Sequence, residues 1–461
     1  MAALDLVVIG AGPGGYVAAI RAAQLGLRTA VVEAERAGGV CGNWGCIPSK
    51  AILADATLAN DVRAAAKAAI VREVPPFDFG RVIDRSRQVA ERQAKGVEFL
   101  FKKNGIPLHP GRARLAPGGV VVTTAPAEER LEAAHVILAT GSVERILPGI
   151  EVDGEVVCTS REALARRTLP ASVVIIGGGA VGVEFAYAYR SFGATVTVVE
   201  MAEQLLPGMD VELGAELAKQ FGRQGIAVRV KTRVTSVARA GAGARVGVRD
   251  GEGERQLDAA MVLVAVGRAP NLDGLGLEEA GVRTEKGRVV VGPTMETSVA
   301  GIYAIGDLVG PLLLAHAASE QGVIAAEAIA GHAPRPFDAE NVPMCVYSEP
   351  EVAAVGLTEA QATARGIEVR TGTLPLRALG KAMALGKTEG FVKVVLDARY
   401  GALLGAHMIG HAVTELIAEA GLARTLEATA DDVVATSHAH PTLSEAFREA
   451  TLAALGRAVN I

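Results

Sequence analysis

Leu6-Val-Val-Ile-Gly10-Ala-Gly12-Pro-Gly-Gly15 is an apolar run that turns on glycines into a helical stretch reaching Gly26, and a second apolar run follows, Thr29-Ala-Val-Val-Glu33. The pattern returns 167 residues later. Val173-Val-Ile-Ile-Gly177-Gly-Gly179-Ala-Val-Gly182 leads through a helical stretch to Gly193 and then to Val196-Thr-Val-Val-Glu200. In both copies the acid stands 23 positions after the first glycine. Each copy reads as strand, turn, helix and strand with the residues a dinucleotide requires. The first glycine permits the tight turn, the second lets backbone approach a pyrophosphate, and the third lets helix pack on strand. Free N–H groups and the positive helix end would receive the pyrophosphate, and the carboxylate would accept from a ribose diol. A single glycine fingerprint is weak evidence, but here strand, helix, second strand and acid agree twice. Gly10, Gly12, Gly15 and Glu33 are therefore candidates for one dinucleotide, and Gly177, Gly179, Gly182 and Glu200 for another. Two such sites suggest a flavoprotein that exchanges electrons with a nicotinamide.

The chain has 461 residues, too many for one hydrophobic core, so three or four domains are expected. With 50% hydrophobic and 21% charged residues it can bury a sizeable interior, and a net charge of -5 offers no general attraction to nucleic acid or anionic lipid. Met1-Ala-Ala-Leu-Asp5 carries no basic leader, and no stretch has the ~18 apolar residues of a membrane span, so a cytoplasmic protein is expected. Four cysteines do not make a disulfide framework at this length. A disulfide here would be chemistry rather than scaffolding.

His135 to Gly141 and Met261 to Arg268 read as buried strands ending in glycine that would close the two nucleotide units. Ala300 to Asp307 reads as a further strand with an acid at its end, which either reaches a cofactor or caps the next helix. Residues 51 to 104 read as helical with a solvated charged face. From about Asn341 a hairpin, Phe391 to Asp397 and Ala402 to Ile409, precedes helices after His411 and Pro441. The expected architecture is α/β, with two Rossmann-like dinucleotide-binding domains and a C-terminal α+β dimerisation domain. The boundaries read as 1–147 for the first nucleotide domain, 148–269 for the second, 270–340 for a central segment completing the first site, and 341–461 for the interface.

Gly38-Gly-Val-Cys41-Gly-Asn-Trp44-Gly-Cys46-Ile-Pro-Ser-Lys50 is the segment with the most chemistry. Cysteines five apart in a regular helix would have Cα atoms roughly 8.6 Å apart, beyond the ~7 Å a disulfide spans. If they bond, the backbone must be irregular, and Gly42, Gly45 and Pro48 could supply that. Two free thiols, or half of a zinc site, are the other readings; no second cysteine pair or nearby histidine completes a metal site, so none is assigned. Cys158 and Cys345 read as small core residues.

The Cys-x4-Cys-Ile-Pro-Ser-Lys segment, set between two glycine fingerprints, resembles the pyridine nucleotide-disulfide oxidoreductases along essentially the whole chain. The resemblance implies a two-fold homodimer, FAD in the first site, NAD in the second, and a Cys41–Cys46 disulfide against the flavin. It makes Cys41 the interchange thiol and Cys46 the one that exchanges electrons with the ring. Lys50 would stabilise the reduced flavin and pair with Glu184. Asp307 would hold the FAD ribityl or phosphate region, with Gly141 and the backbone of Ala113 and Ala315 contributing. Val234, Ala265, Val266, Gly267 and Arg268 would border the NAD.

Near the C-terminus, Ser437-His438-Ala439-His440-Pro441-Thr442-Leu-Ser-Glu445 is open to two readings: Thr442 to Glu445 fits a helix capping box, which would make Glu445 structural. The resemblance instead makes His440, from the opposite subunit, the acid/base for Cys41, oriented by Glu445. Val40, Gly42 and Trp44 depart from the family's usual threonine, leucine and valine. Glu200, with Glu203 nearby and no arginine in Met201–Leu205, favours NAD over NADP. The implied activity is reoxidation of dihydrolipoyl groups with NAD+, with the lipoyl domain and peripheral-subunit-binding region of a 2-oxo acid dehydrogenase acyltransferase as partners. A transhydrogenase or diaphorase of the same family, or a mainly docking subunit, are the alternatives.

Overall fold

The computed structural model describes residues 4–116, 120–123 and 129–460. In the first nucleotide unit, β1 (Leu4–Ile9) leads into α1 (Pro13–Gln24) and β2 (Thr29–Glu33). A short α2 (Gly39–Trp44) and two long helices, α3 (Cys46–Lys67) and α4 (Phe79–Lys103), carry the chain to β3 (Leu108–Pro110). These strands, with Ala133–Leu138 beside β1 and Ile302–Ala304 outermost, form a five-stranded parallel sheet. Its central strands are apolar almost without interruption because both faces are covered: helices α1 and α4 and the helix Ala315–Ile329 pack on one, and Ala113, Leu115, Leu131, Leu275 and Leu277 on the other. The strand read over Ala300 to Asp307 is therefore the outermost strand of the first sheet, contributed from far along the chain.

The second unit repeats the first. A single-turn α5 (Ser160–Ala163) precedes the strand Ser172–Ile176, then come α6 (Ala180–Phe192), the strand Thr195–Val199, α7 (Val211–Arg223) and the strand Ile226–Arg229. With Met261–Val264 and Val157–Cys158 they make another five-stranded parallel sheet. The repeat runs deeper than the sequence reading reached. Each unit inserts a three-stranded antiparallel sheet before a strand of its parallel sheet, Ala113 to Leu131 in one and Arg233 to Ala259 in the other. Between the units, Ser142–Glu144 pairs with Arg268–Pro270.

Residues beyond about 341 build an antiparallel five-stranded sheet in which Phe391–Asp397 and Leu403–Gly410 form the expected hairpin. Among the described residues no helix is long and apolar enough to cross a membrane. A buried charge cluster joins this sheet to the second nucleotide unit. The Lys393 side chain, 4% exposed, lies 3.2 Å from both Asp210 and Glu359 and also contacts Glu212; Asp210 is itself 3% exposed. Removing the cation would leave a buried carboxylate without its partner. Lys393→Ala should therefore lower stability by about 3–5 kcal/mol in denaturant or calorimetric unfolding; a loss near the ~0.5 kcal/mol of a surface pair would show the cluster to be solvated.

Candidate active site

The two glycine turns have nearly superimposable stereochemistry. Gly10 has φ +107° and Gly177 +112°, and a Cβ on either would sit 2.3 Å from a carbonyl oxygen, of Ala139 or of Ala265. A Cβ at Gly15 or Gly182 would stand 1.9 Å from the carbonyl of Gly10 or Gly177. Around Gly12 and Gly179, the N-caps of α1 and α6, there is instead open space, and neither helix has a side-chain cap. Each turn thus presents uncapped amides to a vacant approach, the donor set and room a pyrophosphate requires. Glu33 accepts from the amides of Ala11 at 2.7 Å and Glu35 at 2.8 Å, and Glu200 accepts from Gly178 at 2.6 Å and Ala202 at 2.7 Å. Both acids are held at the tips of their strands, where ribose hydroxyls would meet them.

Asp307 lies in a single 3-10 turn, Gly306–Leu308, after the last strand of the first sheet. It does not cap the following helix, whose N-cap is Leu314. Burial pushes its carboxyl up, against the hydrogen bond donated by the Ser142 hydroxyl and the charge of Arg268. Arg268 donates to the Ser142 hydroxyl oxygen at 2.7 Å and carbonyl at 2.6 Å and pairs with Glu144 at 3.0 Å. Arg268 therefore acts between the two units through Ser142, which the sequence reading did not single out. Gly141, at φ +70°, opens this connection, and the Asn271 amide donates to its carbonyl at 2.9 Å. Ala113 starts a strand of the inserted sheet, and Ala315 is the first residue of a helix packed on α1. At the second site the Ala265 amide donates to Ile176, Val266 packs against that unit's core, and Gly267 accepts from the Arg145 amide. Val234 lies at a β-bulge beside the same core. Glu203 is not a free second charge: Lys231 pairs with it at 2.9 Å.

Between Cys41 and Cys46 the helix is broken. Trp44 ends α2, Gly45 adopts φ -148° and ψ -114°, and Cys46 opens α3. The two cysteines are present as thiols, close enough to share a hydrogen bond. That bond lowers the Cys46 thiol, the Lys50 charge working the same way against burial and Glu184. Cys41, the donor, is pushed up by the same bond and by burial. Lys50, one turn beyond Cys46 on α3, reaches both carboxylate oxygens of Glu184 on α6 at 2.9 Å.

Two surroundings of this loop escape the sequence. The Trp44 ring is sandwiched by the guanidinium groups of Arg87 at 4.2 Å and Arg161 at 4.3 Å, while its N–H donates to Glu35 at 2.8 Å. Tyr347, from the C-terminal sheet region, donates its amide to Glu184 Oε1 at 3.1 Å and places its ring 4.4 Å from Lys50 Nζ. Cys345, read as a core residue, is only half-buried and feels the Lys50 charge; Cys158 is fully buried.

His440 and Glu445 meet as the motif suggested: Nδ1 lies 2.9 Å from Oε1. Glu445 Oε2 accepts from the Thr442 amide at 2.8 Å. The C-terminal helix starts at Glu445 itself, with Ser444 as an N-cap that makes no side-chain bond, and the Thr442 hydroxyl donates to the Ala439 carbonyl, so the capping box read over Thr442 to Glu445 does not form; the carboxylate ties back the loop while it meets the ring. Burial pushes the Glu445 carboxyl up, but the Thr442 amide and His440 outweigh it and the net shift is downward. The His440 side chain is 78% exposed, and among the described residues no hydrogen bond joins it to either cysteine of its own chain.

Residues 4–322 match the model of the pyridine nucleotide-disulphide oxidoreductases, and residues 342–451 match the dimerisation domain of the same family. A dihydrolipoyl dehydrogenase of Chlorobaculum parvum is 45% identical over 98% of this chain and 97% of its own, and one of Bacillus subtilis is 44% identical over 99% of each. Among solved structures, LpdA from Mycobacterium tuberculosis superimposes with a TM-score of 0.90 at 30% identity, covering 97% of this chain and 99% of that one. The flavoprotein disulfide reductase RclA from Escherichia coli, as its Cu(II) complex, gives 0.87 at 26% identity over 98% and 99%. Paired glycine cradles, a thiol pair at a helix break and a C-terminal His–Glu couple thus coincide with matches spanning nearly the full length, and the chain belongs to the pyridine nucleotide-disulphide oxidoreductase family.

Proposed function

We propose that this chain is the FAD- and NAD-dependent flavoenzyme that reoxidises dihydrolipoyl groups, working as a homodimer. The observation that carries the reading is the Cys41–Cys46 pair, held at the start of α3 with Lys50 one turn away and a dinucleotide cradle in each flanking unit. The family match and the full-length dihydrolipoyl dehydrogenase relatives support it. The division at 147, 269 and 340 follows from the same reading. So do a cytoplasmic setting, a lipoyl domain as carrier of the substrate, and docking to the peripheral-subunit-binding region of an acyltransferase.

The chain's own groups divide the work. In the oxidised enzyme a dihydrolipoyl thiolate attacks Cys41 Sγ; the Cys41–Cys46 bond breaks and Cys46 leaves as thiolate, steadied by Lys50 and the α3 N-terminus. The second substrate thiol gives its proton to the partner subunit's His440, held by its own Glu445, and attacks the substrate sulfur of the mixed disulfide, so that the bond to Cys41 Sγ breaks and Cys41 leaves as thiolate. Oxidised lipoyl product departs, leaving two electrons on the cysteine pair. FAD, held at the Gly10–Gly15 turn, would supply the two-electron relay between the thiol pair and NAD+. Gly12 and Gly179 leave room where the two pyrophosphates would approach, and Glu33 and Glu200 would accept from the riboses.

Purified yellow protein given dihydrolipoamide and NAD+ should form NADH. Cys46→Ser should keep the bound flavin yet lose dithiol-driven NADH formation; retained turnover would refute the electron path. His440→Gln should lower kcat by about 10²–10⁴-fold. Refolded mixtures of His440→Gln and Cys41→Ser chains should recover about a quarter of parental activity, because half the dimers then own one intact shared site. No recovery in proven mixed dimers would place the imidazole in its own chain's site. The Cys46 thiol, lowered by its bond to Cys41 and by Lys50, should make alkylation of the reduced enzyme set in at lower pH than that of an ordinary free thiol. A flat profile, or a rise only above pH 8.5, would contradict the assignment of a reactive thiolate.

A further inference from the structure

The family reading gives Lys50 a partner in Glu184 but says nothing of what fixes both. Tyr347 touches the two together. Its amide donates to Glu184 Oε1, an oxygen that also receives Lys50 Nζ, and its ring faces the same ammonium at 4.4 Å. Glu184 occupies one side of the ammonium with two hydrogen bonds, and the electron-rich ring covers another. Lysine has a four-carbon stem that solvent would otherwise free to move. Tyr347 follows the strand Met344–Val346 at the edge of the C-terminal sheet, so this contact is made by the interface region of the same chain.

We propose that Tyr347 is a positioning residue for the thiol pair: its ring holds Lys50 where that charge reaches Cys41 and Cys46. The inference rests on the reading of those cysteines as the redox couple. Several groups bear on the sulfurs and on the clamp. On the sulfurs they are each other, Lys50 on α3 and Glu184 on α6, with the Tyr16 phenol on α1 feeling Cys41. Around the clamp, Cys345, Glu351 and Glu415 act on Tyr347. Of these, Lys50 is the cation that lowers both thiols, and Glu184 opposes it at Cys46. An ammonium that drifts toward solvent removes the first effect while the buried carboxylate keeps the second. Burial pushes the Tyr347 hydroxyl up, so the phenol stays neutral and the ring face, not the hydroxyl, is the working part.

The test is the pH profile of alkylation in the holoenzyme reduced anaerobically with dithiothreitol. Iodoacetamide labelling of Cys41 and Cys46 is followed by peptide mass, so Cys158 and Cys345 do not confuse it. Tyr347→Leu should move the first midpoint upward by about half a pH unit, the size implied by losing one partly exposed cation–π contact. Tyr347→Phe, which keeps the ring, should titrate like the parent. In a Lys50→Met background, whose own midpoint is raised, Tyr347→Leu should add nothing. A parental profile for Tyr347→Leu overturns the proposal. So does an equal shift in Tyr347→Phe, or the same added shift without Lys50. If Tyr347→Leu does not fold, Tyr347→Met, which fills similar space without a ring, is read by the same criteria. Turnover of dihydrolipoamide with NAD+ is measured on the same parent preparation. Its absence would sink the functional reading alone, because the thiol titration needs no substrate.

Discussion

The redox centre depends on one backbone discontinuity. Five residues of continuous helix would hold the Cys41 and Cys46 sulfurs apart; the break at Gly45 brings them into hydrogen-bonding reach and makes Cys46 the first residue of a 22-residue helix. The position suits glycine, since a Cβ there would lie 3.1 Å from the Val40 carbonyl oxygen and 3.4 Å from Cys41 Cα. The same break leaves the N-terminus of α3 without a side-chain cap. Its amides and dipole are then available to a thiolate at Cys46, and Lys50, four residues on, projects over the same face.

Around that break the charges are arranged so that one sulfur loses its proton readily and the other does not. The bond between the two sulfurs and the Lys50 charge lower Cys46, while the same bond and burial raise Cys41. Within one chain the His440–Glu445 couple faces outward, its imidazole mostly exposed. An inward-facing ring would suit a complete site in a single chain; an outward-facing one suits a site finished by a second subunit.

Much of this was legible because it is local. The glycine fingerprints announce themselves through steric demands on backbone a few residues away, and strand, turn and acid recur at fixed spacing. The thiol pair could be recognised as chemistry, yet spacing alone left free thiols and a disulfide both open, and the pairing of Lys50 with Glu184 came only from resemblance. What stayed hidden arises from contacts between distant segments. Lys231 opposite Glu203, Arg87 and Arg161 stacked on Trp44, Ser142 between Arg268 and Asp307, and Tyr347 against Lys50 leave no periodic trace in the chain. The matching antiparallel insertions were missed for a related reason, since strands such as Arg233–Ala240 and Gly253–Ala259 are largely exposed and alternate weakly between buried and exposed residues.

Trp44 shows how a departure from family pattern can be absorbed without loss of the site. A large ring beside the reactive loop would be costly if it had to enter the core, but it lies on the rim, where two guanidinium groups cover its faces and Glu35 takes its N–H. Arg161 lowers the Glu35 carboxyl, with Trp44 assisting, so the acid remains charged and balances one of the two cations. The stack also spans units. Arg161 belongs to α5 beside the second sheet, Arg87 to α4, and Glu35 to the loop whose amide donates to Glu33. Trp44 thus ties the Cys41–Cys46 loop to both nucleotide units, on the side of the loop opposite in the chain to the Lys50–Tyr347 contact. The break at Gly45 is held from before by Trp44 and from after by Lys50, and this two-sided restraint lets a bend of one residue keep two sulfurs in register.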